Sequence, residues 1–182
     1  MRLSAACLAL LLVAGCAPGR GLPPVPPGYG GYRLGPGDVV RLITFGEDQL
    51  TGEFRVSDAG TIAIPLLGSV HAAGLTPSEL EKTVAVALQR ANLLRNPSVA
   101  AEVTGYRPIF VLGEVNKPGQ YPYQPGMTMV SAAAVAGGFT YRAVQGYVSV
   151  VRSADGRTFE GKAARQASVQ PGDVITVYER WF

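Results

Sequence analysis

The 182 residues contain one histidine and two cysteines, which leaves little from which to build a reactive centre. His71 cannot by itself form a multi-histidine metal site or a His–Cys pair, and there is no Gly-x-Ser-x-Gly elbow to expose a nucleophilic serine. It stands between Val70 and Ala72 in a short extended run, where a structural or interface role is favoured over catalysis. Gly156-Arg-Thr-Phe-Glu-Gly161-Lys162 has the spacing of a phosphate-binding loop, but Ala163 follows in place of the hydroxyl that would hold magnesium. Ala154-Asp155-Gly156 reads as a hairpin turn and no long helix follows Lys162, so nucleotide binding is not expected. Asp38 and Asp173 both follow Pro-Gly, in Gly35-Pro36-Gly37-Asp38 and Gln170-Pro171-Gly172-Asp173. Two acids could bind a metal or work as an acid/base pair. The repeated context favours the plainer role, in which each Asp caps a turn ahead of a strand through nearby backbone. No catalytic residue, cofactor or metal site is expected.

The elements that would position these residues fall into two halves. From Arg33 to about Tyr106, Asp38–Phe45 is rich in β-branched residues and reads as a strand. Glu53–Ser57 and Thr61–Leu67 flank Asp58-Ala59-Gly60, which has the form of a three-residue hairpin loop; Ser69–Ala72 is a further short strand. Thr76-Pro77-Ser78-Glu79 opens a helix with a cap, a proline at the first position and a capping box. Leu80, Val84, Leu88 and Ala91 then form an apolar stripe, Asn96-Pro97 ends the helix, and Ser98–Thr104 alternates as a strand. In the second half, from Arg107, Ile109–Leu112 and Gln120–Tyr123 are strands around the turn Lys117-Pro118-Gly119. Thr128 caps a short alanine-rich helix running to about Ala136, stopped by Gly137-Gly138. Tyr147–Arg152, Arg157–Glu160 and Val174–Tyr178 complete a ββαβββ order, compatible with a β-grasp. Each half is small enough to gain from docking to the other or to further copies of itself.

The amino terminus has its own logic. Arg2 precedes an apolar run, Leu3–Val13, too short to span a bilayer but right for the core of a secretion signal. The run ends in Leu12-Val13-Ala14-Gly15-Cys16, which looks like a lipobox. Cleavage by signal peptidase II would then remove residues 1–15 and leave Cys16 to receive the lipid; an ordinary signal with a chance cysteine is the alternative. Cys7 leaves with the signal, so the mature chain has one cysteine and no intrachain disulfide. Ala17 after the cysteine, in place of aspartate, resembles outer-membrane-directed lipoproteins. Residues 16–32 follow as a tether, with five prolines and five glycines between Ala17 and Tyr32. Without Arg2, fifteen basic residues face thirteen acidic ones and none form a run, so nucleic acid is not an expected partner.

Tyr32-Arg-Leu-Gly-Pro-Gly-Asp38-Val-Val, Arg55-Val56-Ser-Asp-Ala-Gly60-Thr-Ile62, Ile64-Pro65-Leu-Leu-Gly68 and Ala73-Gly74-Leu75-Thr76 together resemble the polysaccharide export domain. Val111-Leu-Gly113-Glu114-Val115-Asn-Lys117-Pro118-Gly119 and Ala136-Gly137-Gly138-Phe-Thr140 resemble the soluble-ligand-binding β-grasp domain that accompanies it. The chain is thus similar to the outer-membrane polysaccharide export lipoproteins. The resemblance implies an α+β fold of two small domains: a mixed-sheet polysaccharide export domain with one main helix at 33–106, then a β-grasp domain at 107–182. It implies a homo-oligomeric ring that conducts capsule or exopolysaccharide without catalysis, held in the outer membrane by its lipid and facing the periplasm. An inner-membrane polysaccharide co-polymerase would be its partner. Longer members add a C-terminal amphipathic helix that crosses the outer membrane; this chain reads as a short form that would rely on a separate outer-membrane component. Trp181 and Phe182 could dock on that component, on a neighbouring copy or in the domain's own core. A periplasmic glycan-binding or adaptor lipoprotein that conducts nothing is the competing function.

Overall fold

The computed structural model describes Gly19, residues 21–25, 31–154 and 157–180. Cys16, Trp181 and Phe182 lie outside the described residues.

The first half is built on a three-stranded antiparallel sheet. Its central strand β1 (Val39–Thr44) lies between β2 (Gly52–Arg55) and β5 (Val99–Gly105). Alternation along β1 turns Val40, Leu42 and Thr44 inward and Arg41 and Ile43 outward. A separate hairpin, β3 (Thr61–Ile64) and β4 (Gly68–His71), packs Ile62, Ile64 and Val70 into the same core. The hairpin expected around Asp58-Ala59-Gly60 is therefore absent as a ladder. Gly60 still turns the chain, with φ +76°, but β2 pairs with β1 while β3 pairs with β4. A Cβ on Gly60 would stand 2.8 Å from that of Ala73, so the turn is packed too tightly for a side chain.

Helix α1 (Pro77–Arg90) begins as its sequence requires: Thr76 accepts the Glu79 N–H at 3.2 Å, and Glu79 Oε2 accepts the Thr76 N–H at 2.8 Å. Leu80, Val84 and Leu88 are fully buried, each contributing roughly 1.5–3 kcal/mol of apolar burial. The stripe stops there. Ala91 is exposed as the C-terminal cap, because the helix ends at Arg90, six residues ahead of Asn96-Pro97, and Asn92 turns left-handed at φ +55°. Glu81 ties helix to sheet by accepting the Ala101 N–H at 2.9 Å.

The second half is one five-stranded mixed sheet in the order β7-β6-β10-β8-β9. Its strands are β6 (Ile109–Gly113), β7 (Gly119–Tyr121), β8 (Tyr147–Ala154), β9 (Arg157–Ala164) and β10 (Val174–Val177). Strand β10 is inserted centrally, parallel to β6 and antiparallel to β8. Helix α2 (Met129–Val135) lies against it. Its Ala132 and Ala133, with the capping Ala136, are almost wholly buried, so small side chains bring helix and sheet close. The fold is α+β, with an apolar cluster in each half.

The Pro/Gly-rich segment does not all hang free. Pro23 O accepts the Lys162 N–H at 2.7 Å and Val25 N–H donates to Lys162 O at 3.0 Å, so this piece adds a parallel bridge to the outer edge of β9. Val25 packs onto the core of the second half. Proline is compatible with an edge that needs only its carbonyl. Composition alone reads the segment as a tether, and these backbone contacts are what it does not disclose.

Candidate functional site

Two of the residues with chemical potential sit at the boundary between the halves. Asp38 precedes β1 and Asp173 precedes β10, and each closes the same four-residue turn. Asp38 Oδ2 accepts the Gly35 N–H at 2.8 Å and Asp173 Oδ2 accepts the Gln170 N–H at 2.7 Å. In both turns the Asp N–H returns to the first carbonyl at 3.1 Å. Proline at the second position and a positive-φ glycine at the third (Gly37 +96°, Gly172 +85°) suit the type II turn.

Both carboxylates are completely buried, and each is met by an arginine. Arg152 forks onto Asp173, with Nε at 2.8 Å from Oδ1 and a terminal nitrogen at 2.7 Å from Oδ2. Asp38 takes the Arg107 backbone N–H on Oδ1 at 3.0 Å, and the hydroxyl of Tyr32 donates to Oδ2. Arg107 Nε lies 3.5 Å from Oδ1, near enough to pair as an ion but not aligned for a hydrogen bond.

Arg107 is the link between the turns. Its side chain crosses Gly35, where a Cβ would fall 1.7 Å from a guanidinium nitrogen, and passes 3.6 Å from the positions a Cβ would take on Gly37 and on Gly172. Next to it, Pro108 O accepts the Gly172 N–H at 3.1 Å, and Phe110 N–H donates to Asp173 O at 3.0 Å. The chain leaving the first half is thereby pinned to the turn that opens the central strand of the second.

Three tyrosines run along the same boundary. Tyr32 meets Tyr106 edge-on at 5.1 Å between centroids, and Tyr106 meets Tyr123 at 5.3 Å. Tyr32 packs on the first core and Tyr123 on the second. Burial, followed by the hydrogen bond to Asp38, pushes the Tyr32 phenol well above its ordinary range, and burial also raises Tyr123.

Chemically, this arrangement holds position. A general base needs a lone pair that substrate can reach, and the oxygens of Asp38 and Asp173 are enclosed and engaged by backbone, arginine and phenol. Among the described residues no cluster of three His, Cys, Asp or Glu side chains could hold a metal ion, and no helix is long and apolar enough to cross a membrane. His71 is exposed at the end of β4, opposite Thr61. Gly161 and Lys162 lie within β9, with Lys162 Nζ 3.8 Å over the Tyr147 ring, so the phosphate-loop spacing falls on an edge strand. Sequence reasoning singled out both aspartates but missed Arg107, Arg152 and the tyrosine row. The available signal for Arg107 was its place just before Pro108, between two Pro-Gly-Asp turns.

Residues 27–104 match the polysaccharide biosynthesis/export protein family, and residues 108–162 match the SLBB domain. The chain belongs to the polysaccharide export protein family. Among curated proteins, it is 34% identical over 119 residues to the exopolysaccharide production protein ExoF of Rhizobium meliloti, covering 59% of this chain and 28% of ExoF. It is 28% identical over 155 residues to the EPS I polysaccharide export outer membrane protein EpsA of Ralstonia nicotianae, covering 79% of this chain and 40% of EpsA. The polysialic acid transport protein KpsD of Escherichia coli is 28% identical over 109 residues, covering 59% of this chain and 19% of KpsD. The chain therefore spans less than half the length of each of these relatives. The two matches meet at residues 105–107, where Tyr106 and Arg107 form the junction.

Proposed function

We propose that this protein is a non-catalytic component of a polysaccharide export channel, a lipoprotein cut before Cys16 and anchored in the outer membrane by lipid on that thiol. In this reading the export unit (33–106) and the SLBB unit (107–182) face the periplasm. Copies of the chain associate into a ring through which capsule or exopolysaccharide leaves. The observation that carries the reading is the ordered pair of matches, export domain then SLBB domain, behind a lipobox-like amino terminus. The contacts that hold the two halves together support it, since a conduit needs a fixed relation between its units. An inner-membrane co-polymerase would deliver the chain of sugars, and a separate outer-membrane component would complete the exit.

Deleting the gene tests the function: surface polysaccharide is expected to fall while cells retain the precursor machinery, and a deletion strain with normal surface polysaccharide refutes export. Native mass spectrometry of the mature protein with its co-polymerase tests the ring. A protein that stays monomeric there favours the glycan-binding adaptor instead.

A further inference from the structure

The anchor leaves the molecule at a fixed place. Residues 23–25 are bonded to β9, Leu22 N–H returns to Gly19 O at 3.2 Å, and Gly19 lies so close on Tyr178 that a Cβ would stand 2.8 Å from its ring. Only two residues, Ala17 and Pro18, separate Gly19 from Cys16, so the chain between them reaches at most about 11 Å when fully extended. A lipid on Cys16 must then hold the Tyr178 end of the second half close to the bilayer.

That end has a surface suited to headgroups. Tyr141 is 82% exposed. Its loop is braced by the strand end beyond Tyr178: Arg180 N–H donates to Arg142 O at 2.7 Å, and an Arg180 guanidinium nitrogen donates to Tyr141 O at 2.9 Å. Arg142 pairs with Glu179, and Val144 N–H donates to Tyr178 O at 2.8 Å. An exposed aromatic side chain thus stands on a loop that carries the exposed Arg142 and is bonded by the exposed Arg180. Tyrosine favours the membrane–water interface, where its ring is sheltered and its hydroxyl stays wet. A guanidinium meets phosphate with planar, forked geometry.

We propose that the surface formed by Tyr141, Arg142 and Arg180 lies on the phospholipid headgroups of the leaflet that holds the Cys16 lipid, with the Gly19–Val25 segment as the strap that keeps it there. The proposal rests on the lipoprotein reading above, and its test is made independent of that reading by attaching the lipid chemically. The mature protein has a single thiol, Cys16, which is coupled to a maleimide phospholipid in vesicles of phosphatidylethanolamine and phosphatidylglycerol.

Trp181, the one tryptophan and the residue after Arg180, reports depth. Its emission is expected to be quenched when brominated acyl chains replace ordinary ones. Tyr141→Ser combined with Arg142→Gln is expected to lose most of that quenching while the unfolding curve in solution stays unchanged. Gly161→Ala places a Cβ 2.8 Å from Pro23 O and 2.9 Å from Val25, which should dislodge the strap and lower the quenching. Unquenched Trp181 in the coupled protein, or quenching that survives both variants, overturns the proposal. Failure of cells to lipidate Cys16 would instead overturn the lipoprotein reading.

Discussion

Asp38 and Arg107 are joined twice across the boundary of the halves: one carboxylate oxygen accepts the arginine's backbone N–H at 3.0 Å and also lies 3.5 Å from its Nε. Because that arginine also covers Gly35 and reaches Gly172, the pair sets the angle at which the export unit meets the SLBB unit. Arg107→Ala is expected to cost about 0.5–3 kcal/mol and to separate the unfolding of the two halves. Urea titrations followed by Trp181 fluorescence and by circular dichroism should then cease to coincide.

The second turn is held more tightly. Asp173→Ala leaves Arg152 buried without its carboxylate and the Gln170 N–H without an acceptor, so the expected loss is about 3–5 kcal/mol. Asp173→Asn, which keeps an acceptor for Gln170, should lose less. Equal midpoints for the two variants in urea would contradict this account.

Two glycines with the same backbone conformation should respond differently. Gly68 (φ +85°) has open space around it, and Gly68→Ala should cost about 1–2 kcal/mol for the left-handed backbone alone. At Gly113 (φ +81°) a Cβ would fall 2.1 Å from Val177 O, in the backbone of the central strand. Gly113→Ala should exceed about 4 kcal/mol, and thermal melts of the two variants distinguish them.

Alkaline pH should loosen the junction through Tyr32. Its phenol is raised in the folded state by burial and by Asp38, so folding favours the protonated form. That contribution is complete below the ordinary tyrosine pKa, near 10, and declines as pH rises above it, where the unfolded chain ionises first. Tyr32→Phe should be less stable than the parent at pH 8, and the gap should narrow by pH 11 in urea melts.

Acid should act through Glu79. Its carboxylate is lowered below the ordinary range by the Thr76 backbone N–H, then by the Thr76 side chain. A depressed acid stabilises the fold above its unfolded pKa and loses that contribution as pH falls through the folded one. The stability difference between the parent and Glu79→Ala is expected to shrink between pH 6 and pH 2.

Much of the fold was legible because it is local. The Thr76–Glu79 box and the two Pro-Gly-Asp turns join residues three apart, and the inward alternation of Val40 and Leu42 follows from strand geometry alone. The hairpin after Arg55 was misjudged because turn chemistry at Gly60 sets where the chain reverses but not which strand it then pairs with. The helix end was misplaced because Asn92 supplied a left-handed stop before the proline that looked decisive.

From its residues alone this protein is determined to be a two-part α+β chain of the polysaccharide export kind. Those features are written in patterns a few residues long, where covalent neighbours dominate the physics. Only the tertiary structure decided that β10 enters the middle of its sheet, that Arg107 binds Asp38 across 69 residues, and that Pro23–Val25 lies along β9. Such contacts are selected by the shape and burial of whole faces, which no short window of sequence contains.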